Sequence, residues 1–193
     1  MTPLAVDVAI LLPATARSVL EQLNAGCVPT PGGFRFDTTH HPHITLGQHF
    51  VDADAVDAVR ADLTPLLSRH VPLEIAVTGG RRGRTAHVAV VAPTPDLQRL
   101  HEQVVGVLAD HEVPGTAEAF QSDDSPARDA DVRWVSRFRL DSSFGHFDPH
   151  ITIGIGPGPV TVPPPWRFTA TEVGLCRLGR FCTCRDPLTR WTL

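Results

Sequence analysis

The sequence contains no lysine, so all 17 of its cationic side chains are arginines. A Walker A nucleotide site requires a lysine, and so does a Schiff-base enzyme, which excludes both classes. A ligase that carries adenylate on a lysine is excluded for the same reason. Any joining activity would have to proceed without that intermediate.

Cysteine is also scarce, with four residues in a chain of 193. Cys27, Cys176, Cys182 and Cys184 show no Cys-x-x-Cys spacing. This pattern indicates neither a zinc site nor a disulfide framework. We therefore expect reduced thiols with structural roles.

No apolar run in the sequence is long enough to span a membrane. The opening stretch, 4–12, contains Asp7, is followed by Pro13 and has no cationic residue before it, so a signal peptide is not predicted either. The net charge of -4 argues against broad binding to duplex nucleic acid, which requires many cationic contacts to phosphates. We expect a cytoplasmic monomer without a membrane partner, whose charge still permits binding of a small nucleotide or a strand end.

Apolar periodicity predicts strands and helices that alternate along the chain. The expected helices are 13–24, 53–69 with Asp52 as its N-cap, and 95–111. The expected strands are 4–12, 42–51, 71–77, 86–92, 147–155, 167–178 and 181–193, with 34–36 also extended. Residues 113–145 are polar and predict a long loop or lid. The pattern favours a single α+β domain over the whole chain, 1–193.

One short phrase occurs twice. Residues 42–47 read Pro-His-Ile-Thr-Leu-Gly, and residues 149–154 read Pro-His-Ile-Thr-Ile-Gly. Chance could explain one His-x-Thr among ten histidines, but it explains two matching copies poorly. In each copy the histidine and threonine are two residues apart, so on a β-strand both side chains project from one face. If the two strands lie side by side about a local twofold axis, one cleft receives His43, Thr45, His150 and Thr152.

Such a group of side chains suits acid–base chemistry on a phosphodiester. One neutral imidazole takes a proton from water or a 2′-hydroxyl, and the other, protonated, delivers a proton to the leaving oxygen. The threonines would donate hydrogen bonds to the nonbridging oxygens, where charge accumulates. Neither a metal nor a cofactor is needed, and the two phrases leave open which histidine is the acid.

These residues resemble the two-histidine phosphoesterases, and among them the bacterial RNA 2′,3′-cyclic phosphodiesterases, also called 2′-5′ RNA ligases. The resemblance extends to Leu11-Leu12-Pro13-Ala14, to 87–108 and to 161–191, but not to 113–145. It implies a pseudo-symmetric α+β fold of two lobes, with antiparallel sheets, helices packed outside and a central cleft. It also implies catalytic roles for His43, Thr45, His150 and Thr152.

The resemblance further implies an activity and a ligand. The reaction is hydrolysis of a 2′,3′-cyclic phosphate to a 2′-phosphate, with ATP-independent 2′-5′ ligation as its reverse. The partner is a nucleotide or an RNA end that carries a cyclic or 2′-linked phosphate. Bacterial members often have an arginine after the second motif, where this chain has Gly154-Ile155-Gly156, and its region before that motif is longer than usual.

Other residues are candidates for substrate binding. Arg81, Arg82 and Arg84 lie in a glycine-rich connection that could bring a guanidinium to a phosphate or form a solvated turn. Phe147 and Phe36 could stack on a base or belong to the core.

Other functions remain open. A noncatalytic RNA or nucleotide sensor would keep the cleft but would not need both imidazoles, and the same chemistry could act on another cyclic or 2′-5′ phosphodiester. A metal site is not favoured, because the histidines of 40–49 and 146–150 have no carboxylates at ligand spacing. Ser142-Ser143 lies in no nucleophile-elbow motif.

Overall fold

A computed structural model describes residues 1–27, 33–83, 86–122, 125–157, 160–163 and 165–193. Within these ranges the chain forms four α-helices, which are α1 (Ala14–Ala25), α2 (Val56–Leu67), α3 (Pro95–Ala109) and α4 (Asp129–Asp141). The strands are β1 (Pro3–Leu11), β2 (His43–Asp52), β3 (Leu73–Arg82), β4 (Ala86–Val91), β5 (His150–Ile155), β6 (Trp166–Ala170), β7 (Glu172–Gly179) and β8 (Thr183–Thr192). Short 3-10 turns occupy Ala53–Ala55, Ala117–Ala119, Phe144–His146 and Arg180–Cys182. None of the helices in the described ranges has the length and apolar character needed to cross a membrane.

The strands form two antiparallel sheets. The first has the order β2-β1-β7-β8 and the second β5-β4-β3-β6. The strands that carry the duplicated phrase, β2 and β5, are outer strands of their sheets and contact each other. The expected α+β fold with two antiparallel sheets about a cleft is confirmed.

One apolar core joins the two sheets. It includes Val8 and Ile10 of β1 and Ile151 and Ile153 of β5, together with residues of α1, α2 and α3. Ile44 and Leu46 of β2 alternate with His43 and Thr45, so their side chains enter this core while the polar pair faces the other way. Burial of the aliphatic positions therefore fixes which face of β2 carries the histidine.

Each phrase-bearing strand has a β-bulge at the same position of the phrase. The strand register skips Leu46 in the β1–β2 pair and Ile153 in the β4–β5 pair. A bulge leaves its extra residue outside the ladder of strand hydrogen bonds. In both strands a helix side chain bonds the carbonyl of that residue.

In each case the helix that supplies this hydrogen bond follows a strand of the other sheet. Asn24 of α1, which follows β1, donates from Nδ2 to the carbonyl of Ile153 at 2.8 Å. His101 of α3, which follows β4, donates from Nδ1 to the carbonyl of Leu46 at 2.7 Å. Each phrase-bearing strand is thus covered by a helix of the other half, an arrangement we call the crossed cover.

The glycine that ends each phrase allows this close approach. An added Cβ at Gly47 would lie 3.0 Å from Leu108 Cδ1, and one at Gly154 would lie 2.8 Å from Cys27 Sγ. Even a single methyl group would therefore be too close to α3 at Gly47, and too close to Cys27, two residues after α1, at Gly154.

We expect Gly154→Ala to lower the free energy of unfolding by about 1–3 kcal/mol, because it overpacks the contact with Cys27 and Asn24. Urea unfolding followed by circular dichroism measures the change as a lower midpoint. Gly79→Ala is the matched control, since an added Cβ there meets nothing within 4 Å. Equal midpoints for the two variants would contradict the packing argument.

Residues 113–145 were predicted to form a long loop or lid. The C-terminal half of this segment is instead a helix, α4 (Asp129–Asp141). Val135 and Phe138 are buried, and Val135 packs with Ala5 and Phe50 against the first sheet. Seven of the 13 residues of α4 are polar, and the apolar Trp134 and Leu140 are exposed, so the buried apolar stripe is narrow and gives only a weak helical period in the sequence. The helix lies on the sheet face that carries Asp7, because Ala5 and Asp7 share that face.

Three smaller expectations also differ. The strand expected at 167–178 is two strands in different sheets, since β6 pairs with β3 and β7 pairs with β1. Asp52 Oδ1 accepts from Asp54 N and begins a 3-10 turn, so α2 starts later than predicted. Residues 34–36 form no strand.

Candidate active site

The first phrase presents His43 and Thr45 on one face of β2. His43 Nδ1 lies 2.8 Å from the carbonyl oxygen of His41, which can only accept a hydrogen bond. Nδ1 is therefore the protonated nitrogen, and Nε2 keeps its lone pair.

The second phrase repeats this geometry. His150 Nδ1 lies 2.7 Å from the carbonyl oxygen of Asp148, again two residues before the histidine. Both imidazoles thus have the same tautomer and both present Nε2. Thr152 follows on the same face of β5, and its hydroxyl has no hydrogen-bond partner among the described residues.

The two phrases meet at one cavity of about 240 Å³, which we call the α4 pocket. Trp134, Phe138 and Asp141 form one wall, at the spacing of one helix face of α4. The other lining residues are Thr45, Ser142, His146, Phe147, Asp148, Pro149 and His150. His43 lies close enough to His150 for the two imidazoles to interact electrostatically.

Asp7 of β1 lies fully buried beneath the first phrase. Its Oδ2 accepts from Thr45 Oγ1 at 2.8 Å and from Gln48 Nε2 at 2.9 Å. The same oxygen is 3.4 Å from His43 Nε2. Oδ1 is buried without a hydrogen-bond partner in the described part of the chain.

Burial controls the protonation of both groups. Desolvation raises the pKa of Asp7 to about 7, although hydrogen bonds from Gln48 and Thr45 act in the opposite direction. Desolvation also lowers the pKa of His43 to about 4, helped by the nearby His150. Because burial holds the pKa of His43 well below neutral, His43 is uncharged at neutral pH and its contact with Asp7 is not an ion pair.

A chain of contacts extends from Asp7 to α4. Gln48 bonds Asp7 through Nε2, and its Oε1 accepts from Trp134 Nε1 at 2.9 Å. Trp134 is 46% exposed even though this bond holds its ring in place. Nothing in the sequence indicated Trp134 as a site residue, because the polar character of 113–145 predicts a loop there.

His101 is a second residue that the sequence reasoning missed. Besides donating to Leu46, its Nε2 accepts from the backbone N–H of Phe144 at 3.0 Å. Its ring stacks on Phe147 with centroids 3.8 Å apart. It therefore connects the strand of the first phrase to the segment that leads into the second. A single histidine on the apolar face of a predicted helix gave no signal of this role.

The predicted substrate-binding residues lie in different places. Arg81 forms an ion pair with Asp148, whose carbonyl accepts from His150. Phe147 lines the α4 pocket. Phe36 instead packs against the main core and does not line that pocket. Arg84 lies outside the described residues.

The cysteines are free thiols, and Cys27, Cys176 and Cys184 are buried. Among the described residues, no group of three or more His, Cys, Asp or Glu side chains is arranged to hold a metal ion.

Residues 16–180 match the family model described as the 2′-5′ RNA ligase superfamily. No curated protein matches the chain. Several solved structures have a similar fold. E. coli LigT complexed with phosphate is 22% identical, with a TM-score of 0.62 over 100% of this chain and 99% of that one.

Two further structures show the same likeness. E. coli LigT complexed with 3′-AMP is 23% identical, with a TM-score of 0.60 over 99% of this chain and 98% of that one. A Thermus thermophilus protein is 16% identical, with a TM-score of 0.64 over 98% of each chain. At these identities the likeness is one of fold.

Proposed function

We propose, from the premise that this chain belongs to the 2′-5′ RNA ligase superfamily, that it is a metal-independent phosphodiesterase that hydrolyses 2′,3′-cyclic phosphates of nucleotides or RNA ends to 2′-phosphates. The observation that carries the proposal is the pair of imidazoles on two adjoining outer strands. Both have Nδ1 bonded to a backbone carbonyl and both offer Nε2. The nucleotide character of the ligand is supported by the structures of LigT complexed with phosphate and with 3′-AMP.

In this proposal His43 is the general base and His150 the general acid. Burial keeps the pKa of His43 at about 4, so its Nε2 is free to accept a proton at neutral pH. Water attacks phosphorus and gives a proton to His43 Nε2. The P–O3′ bond breaks as His150 Nε2 gives a proton to the 3′ oxygen, which leaves a 3′-hydroxyl and a 2′-phosphate.

The threonines are proposed to bind the nonbridging oxygens of the phosphate. Thr152 has its hydroxyl available, whereas Thr45 donates its proton to Asp7 when that carboxyl is ionised. When Asp7 is protonated, its Oδ2 can donate to Thr45 Oγ1, and the hydroxyl then turns its own proton toward the substrate. The raised pKa of Asp7, about 7, makes that form accessible at neutral pH.

Arg81 is proposed to supply the cation that the family places after its second motif. The ion pair with Asp148 holds the Arg81 guanidinium beside the residue whose backbone carbonyl accepts the hydrogen bond from His150. A phosphate bound between the imidazoles would lie next to this charge. Arg84 remains a candidate from the sequence for the same role.

We expect the purified chain to hydrolyse 2′,3′-cyclic mononucleotides at an undiminished rate in excess EDTA, because the two imidazoles perform both proton transfers. On the acid side, kcat/KM should fall only below about pH 4, where His43 becomes protonated. Chromatography of the product and a pH–rate profile measure these outcomes. Tight binding of the nucleotide without turnover would contradict the enzyme and favour a noncatalytic sensor.

A further inference from the structure

We propose that the α4 pocket binds the nucleobase of the nucleoside that carries the cyclic phosphate. The substrate class is then a terminal ribonucleoside 2′,3′-cyclic phosphate, either free or at the end of an RNA. The inference rests on the proposed function, since it takes the reacting phosphate to lie between His43 and His150.

The pocket is continuous with the reacting groups. Thr45 and His150 are part of its lining, so a phosphate at the two phrases would leave its own nucleoside at the pocket mouth. The volume of about 240 Å³ is below the roughly 300–1,000 Å³ that is usual for pockets of drug-sized ligands. It therefore suits one base rather than two stacked nucleotides.

Two aromatic rings of the pocket are held in place before any ligand arrives. Trp134 is fixed by its hydrogen bond to Gln48 and by an edge contact with Phe138 at 6.2 Å. Phe147 lies flat on His101, with an angle of 6° between the rings. Rings that are already ordered lose little conformational entropy when a base stacks on them.

The pocket also offers hydrogen-bond acceptors to a base. Asp141 and Asp148 both line it, and the carboxylate of Asp141 is held by Arg137 at 2.7 Å and 2.8 Å. Asp148 is paired with Arg81, so both carboxylates are held in place and can accept hydrogen bonds from the amino groups of a base edge.

The test compares substrates with and without a base, using the full chain. The probes are cytidine 2′,3′-cyclic phosphate, a short oligoribonucleotide that ends in the same group, and 1-O-methylribose 2′,3′-cyclic phosphate. For Trp134→Ala we expect kcat/KM to fall about tenfold or more on both cytidine substrates, mainly through KM, because one stacking surface is lost. Activity on the base-free substrate should fall no further than it does for Trp134→Phe, which removes the same bond to Gln48.

Two variants separate stacking from effects on the hydrogen-bond chain. Trp134→Phe keeps an aromatic face but removes the bond to Gln48, so it should retain most of the activity on the cytidine substrates. Leu140→Ala, on the exposed side of α4, is the matched control for the helix and should match the wild type.

The outcomes distinguish this inference from the proposed function. An equal loss on all three substrates, or no loss for Trp134→Ala, would overturn the base pocket while leaving the phosphodiesterase in place. An effect on the mononucleotide without one on the oligonucleotide would overturn the claim for RNA ends. A wild type that turns over none of the three would overturn the function and the inference together.

Discussion

Replacing His150 by alanine is expected to lower kcat on a 2′,3′-cyclic mononucleotide by about 10²–10⁴-fold, the usual contribution of a general acid. Without the imidazole the 3′ oxygen must leave as an alkoxide or take its proton from water. The side chain is partly exposed at the first residue of β5, so its removal should have little effect on stability. Initial rates in EDTA, with unfolding midpoints measured in parallel, test the expectation.

His43→Ala should cause a loss of the same order, because the base and the acid act on one reaction. The double variant should lose little more than either single one, since residues that act as a unit are not additive. His70→Ala is the control, because His70 bonds to the Gln103 side chain and does not line the α4 pocket. Full activity of His150→Ala would refute the paired-imidazole mechanism.

The pH dependence of stability should change markedly in Asp7→Asn. Burial raises the pKa of Asp7 from 3.8 to about 7, so between these values the folded chain binds more protons than the unfolded chain. Its contribution to the free energy of unfolding therefore falls as pH rises through this range, and ionisation costs up to about 4 kcal/mol above it. Asparagine cannot ionise, so the variant should gain about that much relative to the wild type between about pH 4 and pH 8.

Denaturant unfolding at the two pH values measures this difference, and comparing pH values cancels any fixed cost of the amide. Asp57→Asn is a suitable control, because Asp57 is an exposed residue of α2 whose carboxylate pairs with Arg60. Its stability difference from the wild type should stay within about 1 kcal/mol at both pH values. If the free energies of unfolding of Asp7→Asn and the wild type differ by the same amount at both pH values, the Asp7 carboxyl is ionised throughout this range. The proposed role for a protonated Asp7 in freeing Thr45 is then lost.

Local patterns accounted for much of the fold. The strands of the duplicated phrase and the helices α1 and α3 follow from periodicity and from Pro and Gly at their ends. The division of 167–178 into β6 and β7 was not visible, because no glycine or proline marks Thr171, where the chain passes from one sheet to the other. The buried apolar residues of α4 are too few, among its many charged residues, to give a helical period that could be recognised in the sequence.

The candidate site was predictable where it depends on the phrase itself. His43, Thr45 and His150 converge as the shared face of a strand requires. Their partners could not be predicted, because they come from distant parts of the chain: Asp7 lies 38 residues before Thr45, and His101 lies 55 residues after Leu46. Asp7 gave one local signal, since it is the only charge in an otherwise apolar strand. What that charge contacts depends on the pairing of β1 with β2.

The crossed cover also determines how the site can be lost. If the first sheet comes apart, α1 leaves β5, and the bulge at Ile153 loses the bond from Asn24. If the second sheet comes apart, α3 leaves β2, and Leu46 loses the bond from His101. Unfolding of either half therefore removes the covering helix from the phrase-bearing strand of the other half. The two imidazoles are thus expected to lose their ordered positions together.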